Sequence, residues 1–202
     1  MLSENQVLQL RFLRDIFEIS RLFSTKTYVW GGLVIDILEG RFLREHGDID
    51  CYTLNLLDVR EAINELFLRR GYATEFVPGL DMYTVKNKGC HAAFNRLEMN
   101  DKTAMWRHIG DKGTLFFPRV WLKDTPPAFY DTSVYISGIE FEYAIKAKVE
   151  ILSPEWHLRE TDKISLDYYT QALKQQNISP ESVLSQVRSD NPYWREKGYK
   201  GY

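Results

Sequence analysis

The sequence predicts an α+β fold, a mixed sheet flanked by helices with further helices at the C-terminal end. Three observations carry this. The chain opens with an amphipathic helical segment. Short strands then alternate with helices up to residue 71. Residues 72–122 read as a run of strands between turns, and helical patterns return from residue 140.

The elements follow in order. Residues 5–23 place Leu10, Leu13 and Phe17 at helical spacing, with Arg and Glu between them. Thr27-Tyr28-Val29-Trp30 is β-branched and aromatic, a short strand ended by Gly31-Gly32. Residues 33–40 form a short helix that stops at Gly40. Residues 48–54 (Asp-Ile-Asp-Cys-Tyr-Thr-Leu) alternate as a strand with one exposed face does. The next helix is expected over 58–70, with Asp58 and Glu61 at capping-box spacing and Gly71 as its stop. Strands are expected over 72–77, 80–87, 90–99, 103–109 and 114–122, with turns at Pro78-Gly79, Lys88-Gly89, Asn100-Asp101 and Gly110–Gly113. Pro126-Pro127 marks a loop, and 135–138 a last short strand. Residues 140–152 and 158–175 read as two helices broken near Pro154. This organisation predicts a chemistry-bearing domain over 1–139, a helical lobe over 140–190 packed on it, and a polar, aromatic tail over 191–202.

Composition sets the bounds. The 202 residues suit one domain with a small appendage, and a hydrophobic fraction of 44% is enough to bury a core. Charged residues are 27%, near the globular average of about 25%, which excludes a disordered or fibrous chain. With 26 Lys and Arg against 28 Asp and Glu, the net charge of −2 gives no general affinity for nucleic acid or membranes. Cys51 and Cys90 form neither a CxxC pair nor a disulfide framework. The first residues carry no signal-peptide pattern, and no apolar run approaches the roughly 18 residues of a membrane span. The expectation is a soluble, cytoplasmic protein with reduced thiols.

Chemistry concentrates in residues 30–50. On a strand, residues two apart share a face, so Asp48 and Asp50 set two carboxylates side by side. Their mutual repulsion favours a divalent cation, and Mg²⁺ takes one or two carboxylates together with phosphates and water. Gly31-Gly32, at the end of a strand and the start of a helix, lets backbone N–H groups approach a phosphate closely. Each piece alone is common in plain turns and solvated strands. Their conjunction, with a short helix between, is far more specific. His91, His108 and His157 show no metal-ligand spacing and read as ordinary histidines. The aromatic residues between 105 and 135 read as core rather than as an acceptor pocket.

Gly31, Gly32, Asp36, Gly40, Arg44, His46, Asp48 and Asp50 together resemble the signature of the nucleotidyltransferase superfamily, in its lincosamide and aminoglycoside branch. Leu43 stands where that pattern usually has Thr. Where many relatives carry Asp-x-His, this chain has Ala93 and Asn95. Residues 142–148 and 159–163 are similar to the family's helical lobe, with Thr161 in place of a usual Lys.

The resemblance implies a nucleotidyltransferase-like sheet and transfer of a nucleoside monophosphate from ATP, or another nucleoside triphosphate, to a hydroxyl of a small molecule. An aminoglycoside or lincosamide antibiotic is the acceptor class it points to. It implies Asp48 and Asp50 as ligands of Mg²⁺, and Gly31, Gly32, Arg44 and Lys148 as nucleotide-binding residues. Glu98 is the third carboxylate, accepting the acceptor's proton. His46 is expected to steady the Asp48–Asp50 strand or simply to bond within its turn, and Asp36 to cap or pair. The alternative is a nucleotide-binding regulatory or toxin–antitoxin-type module whose third carboxylate has degenerated. Nucleic-acid polymerisation fits poorly, because the chain lacks a basic tracking region.

Overall fold

A computed structural model describes residues 2–77, 81–107, 113–148 and 157–190. Within it the chain forms two compact units, Met1–Glu98 with Lys123–Ile136, and Met99–Leu122 with Ser137–Tyr202. The tail expected over 191–202 and the helix break at Pro154 lie outside the described residues, as does His108.

The first unit begins with α1 (Glu4–Leu22), whose Ser3 and Gln6 form a reciprocal capping box. Strand β1 (Thr27–Trp30), helix α2 (Leu33–Leu38), strand β2 (Asp48–Leu54) and helix α3 (Leu56–Arg69) follow. Then come β3 (Ala73–Val77), β4 (Met82–Asn87) and β5 (Cys90–Met99). Helix α3 starts two residues before the expected position. Asn55 caps it with φ 52°, a left-handed conformation that Asn tolerates, so the Asp58–Glu61 capping box does not form.

Three short strands complete the unit's segment 123–136. The ladders β8 (Ala128–Phe129) and β9 (Thr132–Ser133) pair with each other, and β10 (Tyr135–Ile136) joins the main sheet. The sheet runs β10–β1–β2–β5–β4–β3. It is mixed: β10 is parallel to β1, β1 antiparallel to β2, β2 parallel to β5, and β5 antiparallel to β4. One face is covered by a core that includes Phe12, Leu13, Val29, Ile49, Cys51, Phe67, Ala92 and Phe94. Phe12 stacks on Phe67 at 5.5 Å and meets Tyr72 edge-on at 5.1 Å.

The second unit holds antiparallel strands β6 (Thr103–Arg107), β7 (Thr114–Pro118) and β11 (Arg188–Ser189). The strand expected through residue 122 stops at Pro118, and Arg119–Trp121 turn as a 3₁₀ helix. Three helices belong here: α4 (Ile139–Ala147), α5 (Glu160–Gln175) and α6 (Pro180–Ser185). Phe117 packs on Phe141 at 4.6 Å, and buried Lys146 pairs with Asp162 at 3.0 Å between α4 and α5. The aromatic residues expected in the core are buried at Trp106, Phe117, Trp121 and Phe129. Among the described residues, no helix is long and apolar enough to cross a membrane.

Candidate active site

The order of the strands brings the two halves of the motif together. Because β1 and β2 are antiparallel, the end of β1 lies beside the start of β2, and Trp30 pairs with Asp50. The chain leaves β1 through Gly31-Gly32 at this same end of the sheet. Asp48 and Asp50 point away from the core, since Ile49 and Cys51, which alternate with them, are fully buried within it. Asp48 is exposed and Asp50 half-buried.

Gly31 sits against the Asp50 carboxylate. Its φ is +83°, and a Cβ built there would lie 3.3 Å from Asp50 Oδ2. Only a residue without a side chain accepts both the backbone conformation and the close approach. Gly32 is crowded from the other side: a methyl group there would overlap the Arg44 guanidinium and lie 3.4 Å from His46 Nδ1. Four of the expected residues, Gly31, Gly32, Arg44 and Asp50, therefore converge at one end of the sheet, with Asp48 two positions from Asp50 on the same strand.

A buried brace holds this arrangement. His46 Nε2 hydrogen-bonds Asp36 Oδ2 at 2.9 Å, and the same oxygen accepts the Leu43 N–H at 2.9 Å. Asp36 is on α2, directly after the glycine turn, whereas His46 is two residues before Asp48. The His46 carbonyl accepts from Gln9 Nε2 at 2.8 Å and Asn5 Nδ2 at 2.9 Å, both on α1. His46 thus steadies the approach to β2, and Asp36 pairs rather than capping its helix. Gln9, buried on the helix face that also carries Leu10 and Leu13, is a positioning residue the sequence reading missed. Its one signal was a polar side chain within an apolar stripe.

The strand register gives a different result for Glu98. In the parallel β2–β5 ladder, Asp48 pairs with His91 and Asp50 with Ala93. Glu98 is five residues beyond Ala93, about 16 Å along the strand at 3.3 Å per residue. There it forms an ion pair with Arg96, which also binds Asp81 at 2.9 Å. The structure does not bring Glu98 to the aspartate pair. Asn95 donates to the Cys51 carbonyl at 3.3 Å. Lys148 belongs to the second unit, where its Nζ donates to the Leu184 carbonyl at 3.2 Å and burial lowers its pKa.

Beside Asp50, Trp30 stacks on Tyr52 with ring centres 5.0 Å apart and planes 6° from parallel. This aromatic pair was not singled out from the sequence, because only the register places Trp30 next to the carboxylate. Among the described residues, no three His, Cys, Asp or Glu side chains converge as a protein-only metal cage. Two carboxylates beside a glycine turn fit instead a hard cation that draws its remaining ligands from phosphates and water.

Residues 12–91 match a family model described as aminoglycoside-2''-adenylyltransferase, a stretch that contains Gly31, Gly32, Asp48 and Asp50 and stops before Ala93. No curated protein matches the sequence. Among solved structures, the solution structure of antibiotic-resistance factor ANT(2'')-Ia is similar at 14% identity and TM-score 0.67, over 89% of this chain and 90% of that one. ANT(2'')-Ia in complex with adenylyl-2''-tobramycin is similar at 15% identity and TM-score 0.65, over 88% of this chain and 95% of that one. The lincosamide antibiotic adenylyltransferase LnuA, lincomycin-bound, is similar at 16% identity and TM-score 0.58, over 84% of this chain and 97% of that one. In fold, and in the segment bearing the glycine turn and the aspartate pair, the chain resembles the nucleotidyltransferase superfamily in its lincosamide and aminoglycoside branch.

Proposed function

We propose that the protein is a cytoplasmic Mg²⁺-dependent nucleotidyltransferase. It moves a nucleoside monophosphate from ATP, or another nucleoside triphosphate, to a hydroxyl of a small molecule of the antibiotic type. The observation that carries this reading is the packing of Asp50 Oδ2 against Gly31, 3.3 Å from where a Cβ would stand. It sets a carboxylate and a side-chain-free turn at one spot, as a metal–triphosphate requires.

Asp48 and Asp50 would hold Mg²⁺, which when bound supplies charge neutralisation at the α-phosphate and orients the leaving pyrophosphate. The backbone at Gly31 and Gly32 cradles the β- and γ-phosphates, aided by the start of α2. The Arg44 guanidinium, packed over Gly32, adds positive charge at the same place. Lys148 is assigned to the phosphates on the resemblance alone. The acceptor oxygen bonds to the α-phosphorus as the bond from that phosphorus to the α–β bridging oxygen breaks; pyrophosphate leaves with that oxygen, and the hydroxyl proton passes to water.

The decisive experiment is pyrophosphate release by the purified protein with ATP and Mg²⁺ across a panel of hydroxylated acceptors. Asp48→Asn should abolish release while the circular dichroism spectrum is retained; full activity in that variant refutes the metal assignment.

One observation favours a second reading. Ala93, not a carboxylate, stands beside Asp50 on β5, and Glu98 is far along the strand and ion-paired. A module that binds nucleotide in a regulatory or toxin–antitoxin setting would bind Mg²⁺–ATP without releasing pyrophosphate for any acceptor.

A further inference from the structure

A tight turn elsewhere in the first unit carries a side chain that its backbone disfavours. Phe129 pairs with Thr132 in the β8–β9 ladder, so Tyr130 and Asp131 form the turn between them. Turns of this length take Gly, Asn or Asp where φ is positive. Here Tyr130 holds such a position at φ 53°, and a bulky residue in the left-handed region is an outlier. Its surroundings keep it there. Arg14 of α1 reaches the two Asp131 oxygens with Nε at 3.0 Å and Nη2 at 2.5 Å. The Tyr130 ring meets Phe129 edge-on at 4.9 Å and stacks on Phe42 at 5.7 Å. Yet Tyr130 remains 44% exposed, so burial alone gives little reason for a tyrosine on this backbone.

What the tyrosine supplies is a hydroxyl. Tyr130 Oη accepts the Phe42 N–H at 3.2 Å. The amides on either side both turn to Asp36: Arg41 N–H donates to its carbonyl at 3.0 Å and Leu43 N–H to its Oδ2 at 2.9 Å. Of these three ties, the middle one alone comes from outside α2. Held by Asp36 only, the backbone of 41–43 can rock about that residue; the Tyr130 hydroxyl fixes it from a second direction. The next residue is Arg44, whose guanidinium lies over Gly32. Resting on the nucleotidyltransferase reading above, we infer that Tyr130 is a positioning residue of the phosphate end: its hydroxyl steadies the segment that sets the Arg44 guanidinium over Gly32, and through it the grip on the β- and γ-phosphates.

The test is Tyr130→Phe, which keeps the ring and its stacking and removes the one acceptor. Mg²⁺–ATP is titrated calorimetrically into the full chain, with AMP, which lacks the β- and γ-phosphates, as the comparison ligand. The Kd for Mg²⁺–ATP should rise about fivefold, the scale of one ordinary hydrogen bond, while the Kd for AMP stays unchanged. In an Arg44→Ala background the same substitution should cause no further loss, because its effect passes through the guanidinium. A purely structural hydroxyl would show neither distinction. The inference is overturned if Tyr130→Phe binds Mg²⁺–ATP as tightly as the natural protein does, if ATP and AMP weaken equally, or if the loss is undiminished in the Arg44→Ala background. In each of those cases the natural protein still binds Mg²⁺–ATP and the nucleotidyltransferase reading stands. If the natural protein binds no Mg²⁺–ATP, that reading falls and the inference falls with it.

Discussion

Two glycines with nearly the same backbone allow the contact between Gly31 and Asp50 to be isolated. Gly31 has φ +83° with Asp50 Oδ2 at 3.3 Å from a built Cβ, whereas Gly71 has φ +81° and nothing within 4 Å. Replacing either with Ala forces an L-residue into the left-handed region, at about 1–2 kcal/mol. The reduced freedom of the unfolded chain returns about 0.4–1 kcal/mol. Both variants should therefore lose about 1 kcal/mol of stability by urea unfolding. Only Gly31→Ala crowds the Asp50 carboxylate, which must give by a few tenths of an ångström, a sizeable part of the roughly 0.5 Å within which a binding constellation has to be held. Calorimetric titration with Mg²⁺–ATP should show at least about tenfold weaker binding for Gly31→Ala, about 1.4 kcal/mol, and an unchanged Kd for Gly71→Ala. If the two variants bind Mg²⁺–ATP equally well, the carboxylate beside the turn is not a ligand site, and the reasoning fails.

The remaining predictions test the brace, the distant acid and the second unit. Asp36→Ala removes the acceptor for His46 Nε2 and the Leu43 N–H, both at 2.9 Å, and should cost about 3 kcal/mol in urea unfolding, with Asp36→Asn intermediate. Glu98→Gln should retain pyrophosphate release within about twofold, because the residue binds Arg96 about 16 Å from the aspartate pair; a loss on the general-base scale of about 10²-fold or more would restore its catalytic assignment. Burial tends to raise the pKa of Asp162, but hydrogen bonds from Arg159 and Lys146 outweigh it and hold the carboxyl well below the usual range. A depressed folded-state pKa gives stability that is complete above the unfolded value of about 3.9 and lost as pH falls through the folded value. Urea midpoints measured downward from pH 5 should fall for the natural protein, and fall less steeply for Asp162→Asn.

Much of the site was legible because it lies within one continuous segment. Strand β2 was expected with its observed bounds, since Ile49 and Cys51 alternate with Asp48 and Asp50 and only one face could be core. Strand β5 was expected with its observed bounds from the turn signals at Lys88-Gly89 and Asn100-Asp101 on either side of it. The misplacement of Glu98 has a plain cause. Cys90, Ala92 and Phe94 are core, so alternation sets Glu98 on the face opposite Asp50, and its position along the sheet depends further on the register with a strand some 40 residues earlier. The Trp30–Tyr52 stack was hidden for the same reason. The start of α3 was missed because Asn55 caps it through a left-handed backbone and makes no side-chain cap bond. The two-residue ladders β8 and β9 are too short to show a period. Helix α6 did carry a signal, Ser179 capping before Pro180 at the first helical position.

The buried tie between Asp36 and His46 divides the connection it spans into two stretches of unlike tolerance. Residues 43–46 are pinned by the Leu43 amide, the His46 ring and the His46 carbonyl, so a deletion there would swing the whole acidic strand end relative to the turn. Residues 39–41 are exposed, and a Cβ at Gly40 would meet nothing within 4 Å. Added length at that outer bend would project into solvent, so the connection can change there with less effect on the placement of Asp50 beside Gly31 than a change within residues 43–46.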